Sequence, residues 1–183
     1  MRKELVALVA ILGMAAGAGA AETASPGPAL GPYEFDCEGP EGGLSTWSGP
    51  LPGARATITG TLQLVRALTH KVYIPAGTIA LSEGKPDSEV ALGFAAYPQK
   101  PGRIDVQVAI GTGDKSRPRY VAVASLAAEG KARFTLRFRE GMLQVEAAGT
   151  SKEIAVPHLK PTRLALSCST GEFLFEDVRV SAE

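Results

Sequence analysis

The chain has 183 residues, 19 Lys plus Arg against 19 Asp plus Glu, a formal net charge of zero, and 45% hydrophobic residues. A neutral chain with no basic tract carries no electrostatic footprint for nucleic acid, so none is expected as a partner. Gly 21 and Pro 13 are high counts for this length and suit a fold with many turns.

The N-terminus has the order of a secretory signal. Arg2 and Lys3 form the positive region, Leu5 to Met14 the apolar run, and Ala18-Gly19-Ala20 the small-residue cleavage site. A membrane anchor would need about 20 apolar residues, and Leu5 to Ala21 ends in Ala and Gly alone. Residues 1–20 are therefore read as a signal peptide, with no membrane insertion after cleavage and a periplasmic or extracellular destination. No Cys follows the apolar run to take a lipid. Residues 21–32, rich in Pro and Gly, read as an extended leader. Residues 33–183, roughly 150 in number, suffice for one domain with a single core.

Within that domain the signal is alternation. Tyr33 to Glu38 is the first predicted strand, and the Gly/Pro/Ser-rich stretch Gly39 to Gly53 is read as a long loop holding the single tryptophan, Trp47. Strands are predicted at Thr57–Arg66, His70–Pro75, Gly77–Ser82, Glu89–Tyr97, Arg103–Ile110 and Arg119–Leu126. The clearest follow. Phe134, Leu136 and Phe138 alternate with Thr135, Arg137 and Arg139, and Leu143 and Val145 alternate with Gln144 and Glu146. Arg163–Cys168, a turn at Ser169-Thr170-Gly171 and Phe173–Val180 complete about eleven strands. No 3.6-residue period is sustained, so the fold class is all-β, an antiparallel sandwich or barrel.

Cys37 and Cys168 are the only cysteines. On an exported chain a lone pair forms a bridge, here between the first and penultimate predicted strands. Two thiols do not make a zinc site, and His70 and His158 stand alone, so no metal or cofactor is expected.

The series ARFTLRFREGMLQVEAAG, a Pro-bearing spacer and RLALSCSTGEFLFEDVRV resembles the C-terminal half of concanavalin A-like lectin/glucanase jelly rolls. The resemblance implies a jelly-roll sandwich whose first strand lies beside its last strands, bringing Cys37 near Cys168. An immunoglobulin-like sandwich is the rival, with fewer strands than this pattern supplies.

Candidate chemistry is sparse. Glu34, Asp36 and Glu38 have the E-x-D-x-E spacing, which resembles the catalytic strand of the laminarinase/lichenase branch. That resemblance implies Glu34 as nucleophile and Glu38 as acid/base of a retaining glycosidase. Against it, the motif opens the domain, aromatic residues are few, and acids outside Phe35 and Cys37 make an ordinary solvated face. The loop Gly111–Ser116 lacks the spacing of a phosphate loop. Lys115, Arg117 and Arg119 would at most make a small anion patch. The chain has no Asn, so the clustered Asp and Asn of a lectin calcium loop are absent. No G-x-S-x-G frame surrounds Ser48 or Ser125. The remaining binding signal is aromatic. Trp47, Tyr97 and Tyr120 are the candidate sugar-stacking residues, with Trp47 alternatively capping the open end of the sandwich. The expected function is an exported, non-enzymatic module binding carbohydrate or a protein of the cell envelope. The alternatives are a glycoside hydrolase using Glu34, Asp36 and Glu38, or a structural envelope protein.

Overall fold

A computed structural model describes residues 32–53, 55–84, 88–111 and 118–182. The expected signal peptide, most of the leader and the Lys115/Arg117 patch lie outside the described residues.

The described chain is antiparallel β throughout, with ten strands: β1 (Tyr33–Pro50), β2 (Ala56–Ala67), β3 (Ala76–Ser82), β4 (Glu89–Ala95), β5 (Arg103–Ile110), β6 (Arg119–Ala127), β7 (Lys131–Arg139), β8 (Met142–Ala147), β9 (Thr150–Ala155) and β10 (Arg163–Ala182). Three differences separate these from the expected eleven. The last two predicted strands are one, β9 is additional, and residues 70–75 do not form a strand. In that segment His70 Nδ1 accepts hydrogen bonds from the backbone N–H of Val72 and Tyr73, at 3.2 and 3.1 Å. A ladder cannot use donors already spent on a turn.

The architecture follows from the two long strands. Arg163–Ser169 of β10 pairs with β3, whereas Gly171–Ala182 pairs with β2. β1 follows β10 around the same bend: Leu44–Pro50 lies along Ser169–Arg163, and Tyr33–Gly39 along Val178–Gly171. The result is two six-stranded sheets that share β1 and β10. Sheet I runs β6-β5-β4-β3-β10-β1 and sheet II runs β1-β10-β2-β7-β8-β9. β1 is the edge of both. At the opposite margin β6 comes alongside β8 and β9.

Gly39 to Pro50, expected as a loop, is thus strand. A register shift between Gly39 and Leu44 absorbs Pro40, Gly42 and Gly43 as a bulge, which an edge strand tolerates because one side needs no partner. The bend itself demands glycine. A Cβ on Gly171 would stand 2.6 Å from the Arg66 carbonyl oxygen, and one on Gly39, its register partner, 2.8 Å from Ser169 Cα. Thr170, between the two halves of β10, sits at φ 52°.

The core is the space between the sheets. Ile79, Leu81, Leu92, Phe94, Val106 and Val108 face inward from sheet I, and Ile58, Leu62, Leu136, Val145, Phe173 and Phe175 from sheet II. Phe94 meets Phe134 across the gap with ring centroids 6.3 Å apart and tilted, the arrangement that aromatic quadrupoles favour. The Cys37–Cys168 disulfide is present, with Cα atoms 5.9 Å apart and both residues buried. Cys37 belongs to the sheet II half of β1 and Cys168 to the sheet I half of β10. The bridge therefore ties one sheet to the other beside the bend.

Candidate functional site

Each sheet has one face on the core and one turned outward, and the two outward faces differ in chemistry. On sheet II it is a mesh of charge. Lys131 pairs with Glu176 at 2.6 Å, Arg137 with Glu146 at 2.8 Å, and Arg66 with Glu172 at 3.3 Å. Such half-exposed pairs contribute about 0–1 kcal/mol each and mainly keep the face solvated. Glu34, Asp36 and Glu38 stand at its margin on edge strand β1. They share one face as their spacing implies, and all three are exposed. Glu38 lies opposite Glu172 in register, so two like charges face each other there.

The outward face of sheet I is almost bare of large side chains across its middle. Register aligns Thr46, Ser167, Thr78, Gly93 and Gln107 in one row across five strands. The next row is Ser48, Ala165, Ala80, Ala91, Ala109 and Tyr120. These small residues leave a trough; on its floor Ala80, Ala91 and Ala109 are 5–6% exposed and Ala165 is half-buried. At one end the segment preceding β3 folds over. Ile74 packs on Ala76, Ala95 and Tyr97, held by Ser169 Oγ donating to the Ile74 carbonyl at 3.1 Å.

The polar groups gather on the β4–β6 side. Gln107 Nε2 donates to Tyr97 Oη at 3.1 Å, which orients the phenol and leaves its proton available to donate. The Tyr120 hydroxyl is buried with no hydrogen-bond partner among the described residues. Burial, reinforced by nearby Tyr97, pushes its pKa up to about 12, so the group remains a neutral donor. Glu89, on the outward side of β4, has its carboxyl pushed above the usual carboxylate range by burial alone. For Asp105 burial raises the pKa, but hydrogen bonds from Lys100 and Ser125 outweigh it, and Lys100 and Arg103 add charge attraction, so the net direction is down. Lys100 Nζ lies 2.6 Å from Asp105 and 5.9 Å from the Tyr97 ring centroid.

Of the three aromatic candidates, the fold brings Tyr97 and Tyr120 together on this face. Trp47 is placed differently. It lies opposite inward-facing Leu166, packs partly buried against the core, and sits 5.2 Å from the Tyr33 ring. Its indole covers Gly49, where a Cβ would come within 3.0 Å of Cη2. Gln107, Glu89 and Gly93 were not singled out by the sequence. The available signal was a glycine inside EVALGFAAY and a glutamine at an outward position of RIDVQVAI.

Among the described residues no three His, Cys, Asp or Glu side chains gather to hold a metal, and no helix is long and apolar enough to cross a membrane. No protein-family model matches the sequence, nor does any curated protein. Solved structures do match. A xylan β-1,4-xylosidase from Bacillus halodurans C-125 aligns with a TM-score of 0.61 at 11% identity, over 82% of this chain and 32% of that enzyme. The carbohydrate-binding module CBM66 from Bacillus subtilis aligns at 0.52 and 10% identity, over 84% of this chain and 93% of the module. An alginate lyase from Alteromonas sp. 272 aligns at 0.52 and 10% identity, over 70% and 72%. The chain has the concanavalin A-like jelly-roll fold that these proteins share.

Proposed function

We propose that the chain is an exported, non-enzymatic module that binds a polysaccharide in the trough of sheet I, with Tyr97 and Tyr120 as contact residues. The observation that carries this reading is the pairing of a smooth, small-residue floor with two tyrosines and an oriented glutamine along one side. A sugar ring has an apolar face that stacks on aromatic side chains and an equator of hydroxyls that need donors and acceptors. Tyr97, Tyr120 and Gln107 offer both. The fold relatives include a carbohydrate-binding module and enzymes named for polysaccharides, which supports the same chemistry without assigning it.

Glycan-array binding followed by isothermal titration tests the reading. Tyr97→Ala is expected to weaken binding by about five- to thirtyfold, the loss of a stacking contact of roughly 1–2 kcal/mol. Trp47→Ala is expected to lower thermal stability through lost packing and to leave affinity within about twofold. Turnover of β-1,3- or β-1,4-glucan that Glu34→Gln abolishes would replace this reading by the hydrolase. Absence of binding to every glycan would leave a structural or protein-binding role in the envelope.

Export is part of the proposal, motivated by the basic, apolar and small-residue order of residues 1–20. Intact mass of the protein recovered from periplasm or medium should begin near Ala21. Recovery with Met1 still attached would refute it.

A further inference from the structure

Gly93 occupies the centre of the trough for no reason that folding supplies. Its backbone is not in the left-handed region, so no conformational need calls for glycine there. Nor does packing. Among the described residues, a Cβ built on Gly93 would meet only the Gln107 carbonyl oxygen at 3.8 Å and Thr78 Cγ2 at 3.9 Å, both ordinary contacts. Gly77, one strand away, is the opposite case, since its Cβ would lie 2.8 Å from Leu62 Cδ1 and 2.9 Å from a Phe173 ring carbon in the core. A glycine inside a strand weakens it and is retained where another backbone or a ligand comes close. Among the described residues no other backbone approaches Gly93 from the outward side within that distance.

The second observation lies on the same side of the face. The Tyr120 hydroxyl is withdrawn from water and has no partner among the described residues, which costs about as much as a lost hydrogen bond until something supplies one. Tyr120 pairs with Ala109, and Gln107, two residues from Ala109 on β5, lies opposite Gly93.

Resting on the glycan reading above, we infer that Gly93 is the seat of one sugar ring and sets which ring fits. The ring lies flat on the Gly93 backbone between Thr78 and Gln107, and one of its hydroxyls completes the hydrogen bonding of Tyr120. Any side chain at position 93 stands where that ring must lie, although the protein itself has room for it.

The test separates fold from fit. The exported chain and its Gly93→Ala and Gly93→Val variants are compared by thermal melting and by affinity electrophoresis in gels containing laminarin, xylan or alginate, each alone. Both variants should melt no lower than the unmodified protein. Gly93→Val should lose retardation by at least about tenfold in apparent Kd in the polysaccharide that retards the unmodified chain. Tyr120→Phe, which keeps the ring and removes the hydroxyl, should weaken the same retardation by about fivefold or more. Retardation of Gly93→Val equal to that of the unmodified chain would overturn the inference while leaving the glycan reading intact. Melting of Gly93→Ala well below the unmodified chain would overturn it too, since the glycine would then be structural. Retardation of the unmodified chain by none of the three polysaccharides would count against the glycan reading itself, and this inference would fall with it.

Discussion

Replacing both Cys37 and Cys168 by alanine is expected to lower the unfolding free energy by about 3–5 kcal/mol. The bridge spans 131 residues, and chain-entropy reasoning for so long a loop gives an upper figure of about 5 kcal/mol. The realised value should fall short of that, because a compact denatured chain already has part of the entropy removed. The position of the bridge argues that most of it is kept. β1 is the edge strand of both sheets and hydrogen-bonds only to β10 among the described strands. Without the bridge, that ladder and side-chain contacts remain to hold it, among them Trp47 against the core and Phe35 on Phe175 with ring centroids 5.9 Å apart. Denaturant titration of the double variant beside the unmodified chain measures the loss. Hydrogen exchange should show it first in β1, which would open below the global unfolding free energy. A loss under about 1 kcal/mol would mean that the bridge is incidental to the sandwich.

Gly171→Ala should cost about 3 kcal/mol, or roughly 6–12 °C in melting temperature for a domain of this size. Its Cβ would stand 2.6 Å from the Arg66 carbonyl oxygen, closer than a carbon and an oxygen can approach. The obstacle is backbone of the neighbouring strand, so no rotamer change relieves it. Either β2 and β10 separate locally, losing ladder hydrogen bonds, or the bend opens and pulls the sheets apart near the disulfide. Both outcomes reach the core, because Phe173 follows two residues on and is fully buried. Gly93→Ala is the matched control, the same chemical change on the same fold with only ordinary van der Waals contacts, at 3.8 and 3.9 Å, around the added carbon. A melting temperature unchanged by Gly171→Ala would show that the bend tolerates a wider crossing than the structure contains.

How much of this was legible beforehand depended on how local each signal was. The strands of β7 and β8 were readable because Phe134, Leu136, Phe138, Leu143 and Val145 report burial at every second residue, and a two-residue period belongs to no other regular structure. The antiparallel sandwich follows from many such segments divided by Gly- and Pro-bearing turns. The Cys37–Cys168 pair needed only an oxidising destination and the absence of any other cysteine. What the chain alone could not determine was decided by partners distant in sequence. Ser169-Thr170-Gly171 and the Gly/Pro run after Cys37 carry turn chemistry, yet both lie in strand, because β1 and β10 pair on both sides of the bend and the bend needs glycines at Gly39 and Gly171. Trp47 looked like a loop aromatic until pairing with β10 set it opposite Leu166 and turned it to the interior. The trough has the same origin. Thr78, Gly93, Gln107 and Ser167 are unremarkable as residues and separated by long stretches of chain, and they form one row only because antiparallel register sets them side by side. A local pattern reports whether a residue is buried; which residues share a surface is set by strand order and register, and those exist only in the folded chain.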